Sequence, residues 1–410
     1  MEAQKIEKLD ELLKDFLGHS KTVTGHETTR LTALGENYGS TMLALKIDVQ
    51  QEEKKEKLEA VGKVPPPGEF IQRMFNTPIT FRNEINFYKI IVPELENFLA
   101  ESGIENNYLD CFPMFYGARL NLTNKEYADN EAVLLLENLK VLGYEVGDRN
   151  SGFDLKTTEL ILKALAKFHA VPIAMKILKP EIFRKRIKPF FTPYKVFDMD
   201  ANMQAGVVEK NIKIVEGIDD CKQYVPKVER ALNSSHQFFL HPKNSPLFIR
   251  EPFATIIHTD AWVNNFMVLF NKDEPASCKI VDFQLLEYGS PARDIIFFIF
   301  TSVQIQIVQQ HYNELISLYH RSLIEVLDKL KCDTSSLSLE EFHQEITLVS
   351  KECEFFHCMV MLEPLHATKD SIKELDQYNE EDMTREKEIP QKHKEKASFI
   401  VKQFINRNFI

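Results

Sequence analysis

The eight residues His258-Thr259-Asp260-Ala261-Trp262-Val263-Asn264-Asn265 constrain this chain more than any other stretch. They set an acid and an amide five positions apart, and the apolar run Phe266 to Phe270 follows at once. A turn rich in Asn, Asp and Pro (271–276) leads to a second apolar run, Lys279-Ile280-Val281, which ends in Asp282-Phe283-Gln284. The spacing therefore predicts a strand, a turn and a strand between the first acid and the second.

An Asp that orients a hydroxyl, an Asn, and a later Asp at a strand end are the groups that Mg-dependent phosphoryl transfer requires. Their order and spacing follow the catalytic loop and metal-binding Asp of kinases. The rest of the chain decides whether the other parts are present.

At 410 residues the chain is long for a single core, and two lobes are expected. With 44% hydrophobic and 27% charged residues it has an ordinary globular composition. A formal net charge of −11 argues against nucleic acid as a general partner, which would call for a basic footprint. The N-terminal segment is charged and amphipathic, with Ile6, Leu9, Leu13 and Phe16 at helical spacing. It lacks the uninterrupted apolar core of a secretory signal. No run reaches the roughly 18 apolar residues of a membrane span. The six cysteines are scattered without metal-ligand spacing, which reads as free thiols in a reducing cytoplasm.

Taken in order, Lys21 to Ala33 reads as a strand entering the turn Gly35-Glu36-Asn37-Tyr38-Gly39-Ser40, and Thr41 to Val49 as the strand leaving it. Glycines in such a turn let backbone amides approach an anion closely. Gln50 to Lys57 reads as a charged hairpin tip, and Leu58 to Val64 as a third strand stopped by Pro65-Pro66-Pro67. Lys63 near its end, or Lys46 on the strand before, is placed to contact a phosphate. The helix Phe81 to Ile91 carries Glu84, which can hold a strand lysine in position. The apolar run to Glu137-Asn138-Leu139 reads as a buried strand leaving as a hinge whose backbone meets an adenine edge. A composition break over Gly143 to Gly152 puts the lobe boundary at about residue 140.

Beyond it the pattern is helical. Asp154 is a candidate N-cap for Leu155 to His169, with His169 a packed residue rather than a ligand. Further helices are broken by Pro189, Pro193 and Pro242, and Arg184-Lys185-Arg186 with Lys188 forms a basic run. Eleven residues separate Asp282 from Asp294. Protein kinases need a longer segment there, so the acceptor is expected to be small. Asp294 opens a helix from Ile295 to Gln306 and can brace the catalytic loop. Charged residues from Asp376 to Lys396 precede a last helix, Ser398 to Phe404.

As an ordered set, Gly35 to Ser40, the helix bearing Glu84, Leu-Leu-Leu-Glu137-Asn138-Leu139, the His258 to Asn265 loop and Val-Asp282-Phe-Gln resemble the ecdysteroid kinase-like proteins. These are a branch of the choline and aminoglycoside kinase group, expanded in insects. The resemblance runs from about residue 25 to 370. It implies an α+β bilobal fold, a small lobe (1–140) with an antiparallel sheet and a larger helical lobe (141–410). It implies ATP- and Mg-dependent phosphorylation of a hydroxyl on a small molecule, an ecdysteroid or a xenobiotic such as a plant compound. By position, Asp260 matches the catalytic Asp, and Asn265 and Asp282 the metal ligands. Lys63 and Glu84 match the phosphate-contacting pair, Gly35, Asn37, Gly39 and Ser40 the phosphate turn, and Glu137, Asn138 and Leu139 the adenine hinge. Thr259 stands where this family and its relatives usually have Gly, which motivates the alternative of a pseudokinase-like small-molecule binding protein.

Overall fold

Alternation of apolar residues builds the first third of the chain. The computed structural model describes residues 6–31, 39–105, 108–123, 126–196, 200–367, 373–385 and 388–410. In β2 (Thr41–Gln51) the side chains of Leu43, Leu45, Ile47 and Val49 lie on one buried face, as a period of two demands. β2 pairs antiparallel with β1 (Thr22–Arg30) and with β3 (Lys54–Val64). With β4 (Phe115–Arg119) and β5 (Val133–Glu137) they form a five-stranded sheet ordered β1-β2-β3-β5-β4. The charged stretch expected as a loop is ladder instead: Gln51 opposes Lys54, and the turn is confined to Glu52-Glu53. Its Lys and Glu side chains reach solvent, so strand pairing there needs no apolar face.

Helix α1 (Leu9–Leu17) covers the buried face of this sheet through Leu9 and Leu13, joined by Ile6. The approach is close because of Gly117 in β4. A Cβ there would lie 2.1 Å from the Leu12 carbonyl oxygen. On the other side come α2 (Glu69–Phe75) and α3 (Thr77–Asn86), which passes through a π-helical turn, Phe87–Ile91, into α4 (Val92–Glu101). The helix expected over Phe81 to Ile91 is thus longer at both ends, with Pro93 in the first turn of α4, where a missing amide costs little.

A 3-10 turn, Leu139–Leu142, and β6 (Tyr144–Val146) lead out of the sheet. β6, β8 (Phe266–Asn271) and β9 (Glu274–Ile280) make a second sheet, and β7 (Thr255–Ile257) pairs with β10 (Glu287–Gly289). These five short strands hold the expected Asp282 hairpin among helices. They are α5 (Leu155–Leu178), α6 (Pro180–Ile182), α7 (Ala201–Glu216) and α8 (Val225–Leu240), then α9 (Ala292–Ser302) and α10 (Ile305–Lys329). The chain ends in α11 (Leu339–Val349), α12 (Phe355–Leu365), α13 (Glu380–Thr384) and α14 (Gln391–Asn406). The result is an α+β chain of two lobes, a small one around the antiparallel sheet and a larger helical one.

Three further helices also differ from the sequence reading at a boundary. α5 continues past His169 because Ala170 to Met175 are buried all round, so periodicity stops marking a helix that goes on. α9 stops at Ser302, where the chain turns extended and Val303 bridges to Phe153. α14 begins at Gln391, earlier than Ser398, because its first turns bury the polar His393 and Lys396, which a search for apolar periodicity passes over. Asp154 caps α5 as expected, accepting the Thr157 amide at 2.8 Å. α9 is buried at every residue and is the axis of the helical lobe. All six cysteines are buried and unpaired, and no described helix is long and apolar enough to cross a membrane.

The fit of α1 on β4 gives a first prediction. Gly117→Ala forces the Leu12 backbone away and lowers stability by about 1–3 kcal/mol, the usual cost of overpacking. Urea denaturation of the variant measures it, and an unchanged midpoint contradicts the packing described.

Candidate active site

The buried end of β3 places a lysine where one is rarely found. Lys63 is 2% exposed, and its Nζ lies 2.6 Å from Glu84 Oε2 on α3 and 2.7 Å from Asp282 Oδ1 beyond β9. A buried ammonium persists only when paired. Burial works against its charge, but the two carboxylates outweigh that and hold the ammonium above its ordinary range. Burial also pushes Glu84 upward, partly offset by Lys63. The other Glu84 oxygen accepts the Phe283 amide at 3.1 Å. Lys46, the competing candidate, is exposed on β2 opposite Glu27 and Glu59.

The loop after β7 is fixed by a carboxylate from α9. Asp294 accepts the His258 amide at 2.6 Å and the Thr259 amide at 2.8 Å, one on each oxygen. His169 also reaches Asp294, at 3.1 Å, with its other nitrogen 2.8 Å from the Tyr319 hydroxyl. Burial alone would raise the Asp294 carboxyl; the hydrogen bonds from His169 and from the His258 amide outweigh it and hold it below the ordinary range. His258 Nδ1 accepts the Asp260 amide at 3.2 Å, so its Nε2 donates to the Val281 carbonyl at 2.9 Å. Burial keeps this ring neutral by pushing its pKa down.

Thr259 takes a left-handed conformation, φ +62°, which explains why glycine suits the position. Its side chain does not crowd the loop. The hydroxyl donates to the Leu285 carbonyl at 2.6 Å and ties the loop to the segment after Asp282.

Asn265 closes the loop on itself. Its Nδ2 donates to the Asp260 carbonyl at 2.8 Å and to Asp260 Oδ2 at 3.0 Å. Burial raises the Asp260 carboxyl to about 7, helped by the nearby charge of Asp282. Asp282 is itself left-handed, φ +68°, and it starts a turn whose Phe283 stacks on Phe87 at 4.0 Å. Phe283 also meets Phe112, Phe168 and His258 within 6 Å.

Of the expected phosphate turn, Gly35 and Asn37 lie outside the described residues. Gly39 rests on Gln284, where a Cβ would lie 2.2 Å from the amide nitrogen, and Ser40 is buried beside it. Glu137 spends its amide on the Met114 carbonyl. Asn138 caps the turn that follows, accepting the Lys140 amide, and Leu139 is buried against Tyr144 and Met267. The side chains of Asn138 and Leu139 are thus committed to the protein, and the Asn138 carbonyl accepts the Val141 amide at 3.2 Å. The basic run is solvated: Arg184 pairs with Glu181 and Arg186 with Glu94.

A magnesium ion fits the residues present. Asp282 offers a carboxylate, and Asn265, by donating from Nδ2, turns its Oδ1 into the available ligand oxygen. Two hard oxygens suit an ion that keeps waters and substrate phosphates. A full protein cage is not on offer, since no three His, Cys, Asp or Glu among the described residues could hold a metal.

Sequence reasoning missed the charged layer beneath the loop. Glu287 in β10 binds Lys243 at 2.5 Å and Arg293 at 2.7 Å, and Arg293 reaches on to Glu354 at 2.9 Å. The charges of Arg293 and Lys243 overcome burial and hold Glu287 down at about 2. The signal available was a Glu and an Arg six apart in an otherwise apolar stretch.

A sheet lobe and a helical lobe meeting at a buried Lys-Glu-Asp cluster, with an Asp and an Asn beside it, define a kinase-like chain. The profile of the ecdysteroid kinase-like family matches residues 34–332, and the chain belongs to that family. No curated protein matches it. Among solved structures, the GDP and kanamycin complex of APH(2")-IIIa is similar over 85% of this chain and 89% of that one, at 12% identity and a TM-score of 0.38. The GDP complex of wild-type aminoglycoside 2'-phosphotransferase-IIIa is similar over 94% of each chain, at 12% identity and a TM-score of 0.37. Both likenesses are distant.

The bracing of the loop is testable through pH. Because the folded Asp294 carboxyl titrates below its unfolded value, its stabilisation is present above the ordinary carboxylate range and is lost as pH falls through it. Asp294→Asn leaves a buried amide without its charged acceptor and costs about 1–3 kcal/mol at neutral pH. Urea titrations across pH should show the gap between the two proteins narrowing in acid. A gap independent of pH contradicts this role.

Proposed function

We propose that the protein transfers the γ-phosphoryl group of ATP to a hydroxyl of a small molecule, an ecdysteroid-like steroid or a xenobiotic. The observation that carries this reading is the Lys63 ammonium held between Glu84 and Asp282, with the Asn265-Asp260 pair on the neighbouring loop. Family membership gives the kinase-like class; the acceptor and the roles below are our assignment.

Lys63 contacts phosphate oxygens and Glu84 holds it there. Gly39 and Ser40, with Gly35 and Asn37, cover the phosphates, and the Glu137 to Leu139 backbone meets the base. Asp260 orients the acceptor hydroxyl and takes up its proton as the oxygen bonds to the γ-phosphorus. The bond from that phosphorus to the ADP oxygen breaks, and products are a phosphate ester, ADP and a proton. Magnesium, held by Asn265 and Asp282, would offset charge on the β- and γ-phosphates. Positioning and electrostatics supply the rate, because little covalent chemistry falls to the protein.

The segment after Asp282 supports a small acceptor. It runs through one 3-10 turn, Phe283–Leu285, and the three residues of β10 straight into α9. No platform for a peptide fits in that length. We assign residues 1–140 to the nucleotide-covering lobe and 141–410 to the catalytic and acceptor lobe, acting in the cytoplasm. Thr259, the ground for a binding-only alternative, takes its left-handed place with its hydroxyl bonded, so transfer is the better reading.

The test is transfer of label from γ-labelled ATP, with Mg, to a panel of ecdysteroids, choline, sugars and plant glycosides. Asp260→Asn should cut turnover roughly 10²- to 10⁴-fold, the scale of general-base catalysis, while nucleotide affinity stays nearly constant. Equal turnover in the variant removes Asp260 from the mechanism, and bound nucleotide without transfer to any acceptor favours the binding protein.

A further inference from the structure

A buried basic cluster stands apart from the phosphoryl-transfer site, where α12 ends and α14 begins. His366 follows the last residue of α12, and His393 lies in the first turn of α14. Their rings are 5.8 Å apart, centre to centre. Both side chains are more than nine-tenths buried. Nδ1 and Nε2 of His366 and Nε2 of His393 are buried without a hydrogen-bond partner. Lys396, one turn along α14 from His393, is buried as well. Its ammonium donates to the Val303 carbonyl at 2.9 Å and sits 5.6 Å from the centre of the Phe399 ring. Among the described residues it forms no ion pair.

The surroundings add positive charge rather than balance it. Arg149 flanks the pair, donating to the carbonyls of Pro364 and Ala367 at 3.4 and 2.8 Å. Besides His393, the charges of Lys396, Lys392 and Arg149 all bear on His366. Glu363 reaches His393 with its charge, but it is paired with Lys210 at 2.6 Å. This gathering occurs in a chain of net charge −11.

Three occupants can be weighed by chemistry. A metal ion would use the ring lone pairs but would be repelled by Lys396 and Arg149, and the described residues supply no third ligand. Water can bond to the ring nitrogens but cannot neutralise a buried ammonium, and an unpaired buried charge is costly. An oxyanion does both, because its oxygens accept from the ammonium and from imidazoles that become donors at both nitrogens on protonation.

We propose that His366, His393 and Lys396 form a second binding site, for a compact oxyanion such as phosphate, sulfate or a carboxylate. Burial holds both imidazoles down at about 4 and Lys396 at about 8. An anion reverses that effect, so the rings take up protons as it binds, and binding tightens as pH falls toward their range. The site does not depend on the transferase reading, as it shares no residue with the Lys63 cluster.

Histidine-ring NMR on the full chain tests this, with His366→Asn and His393→Asn for assignment and with inorganic phosphate, sulfate and acetate as probes. The expected result is a saturable shift of the His366 and His393 resonances, with titration midpoints moving from the acid range toward neutrality. The buried rings of His169 and His258 should stay fixed. Response to phosphate and sulfate alone defines a tetrahedral ligand, and response to acetate as well defines a general oxyanion site. Lys396→Met should weaken phosphate binding at least about tenfold, as loss of a charged hydrogen bond does. If His366 and His393 resonances and midpoints ignore all three anions in the unaltered protein, the cluster holds water only and the proposal fails.

Discussion

One ammonium group organises the junction between the lobes. Lys63 arrives from the sheet, Glu84 from α3 and Asp282 from the hairpin that follows the His258 to Asn265 loop, and the three charges meet at 2.6 and 2.7 Å. Two carboxylates on one buried cation leave a net negative charge that the protein alone does not cancel. A neutral replacement of Lys63 would leave the buried Glu84 and the neighbouring Asp282 facing each other without their shared cation.

Around this charge the packing is as specific as the electrostatics. Phe283 follows Asp282, stacks on Phe87 and touches rings from α5 and the His258 to Asn265 loop. Its amide binds Glu84, so the ring cannot move without disturbing the ion pair. Asp294 does the same service for His258 and Thr259 from the fully buried helix α9. Beneath it, Glu287 and Arg293 carry the charge network to Glu354 in the far helices. Loop geometry thus rests on α9, a helix buried at every residue.

Much of this was legible in the sequence, and the reasons are physical. Asp260, Asn265 and Asp282 are placed by local chain geometry, loop then hairpin, so spacing alone marked them as candidates. The sheet was legible because Leu43, Leu45 and Ile47 alternate; the charged tip was misread because ladder pairing does not require apolar side chains. Lys63 and Lys46 could not be separated by pattern, since both sit on strands; only burial against Glu84 distinguishes them. The continuation of α5 through Ala170 to Met175 was hidden by burial on all sides, which erases periodicity. The Lys243-Glu287-Arg293 layer was invisible because Lys243 lies 44 residues from Glu287 and the two meet only through the fold. Thr259 stood out against the glycine usual in the family it resembles, and its left-handed backbone and the hydroxyl bond to the Leu285 carbonyl could not be read from the chain.

The central claim is that the Asp282 end of this charge cluster accepts a metal-bound nucleotide. Calorimetric titration of ATP into the protein, with and without magnesium, and into Asp282→Ala, tests it most directly. Binding that requires magnesium and disappears in Asp282→Ala is the predicted result. Nucleotide binding of equal strength without magnesium, or undiminished in the variant, would contradict it.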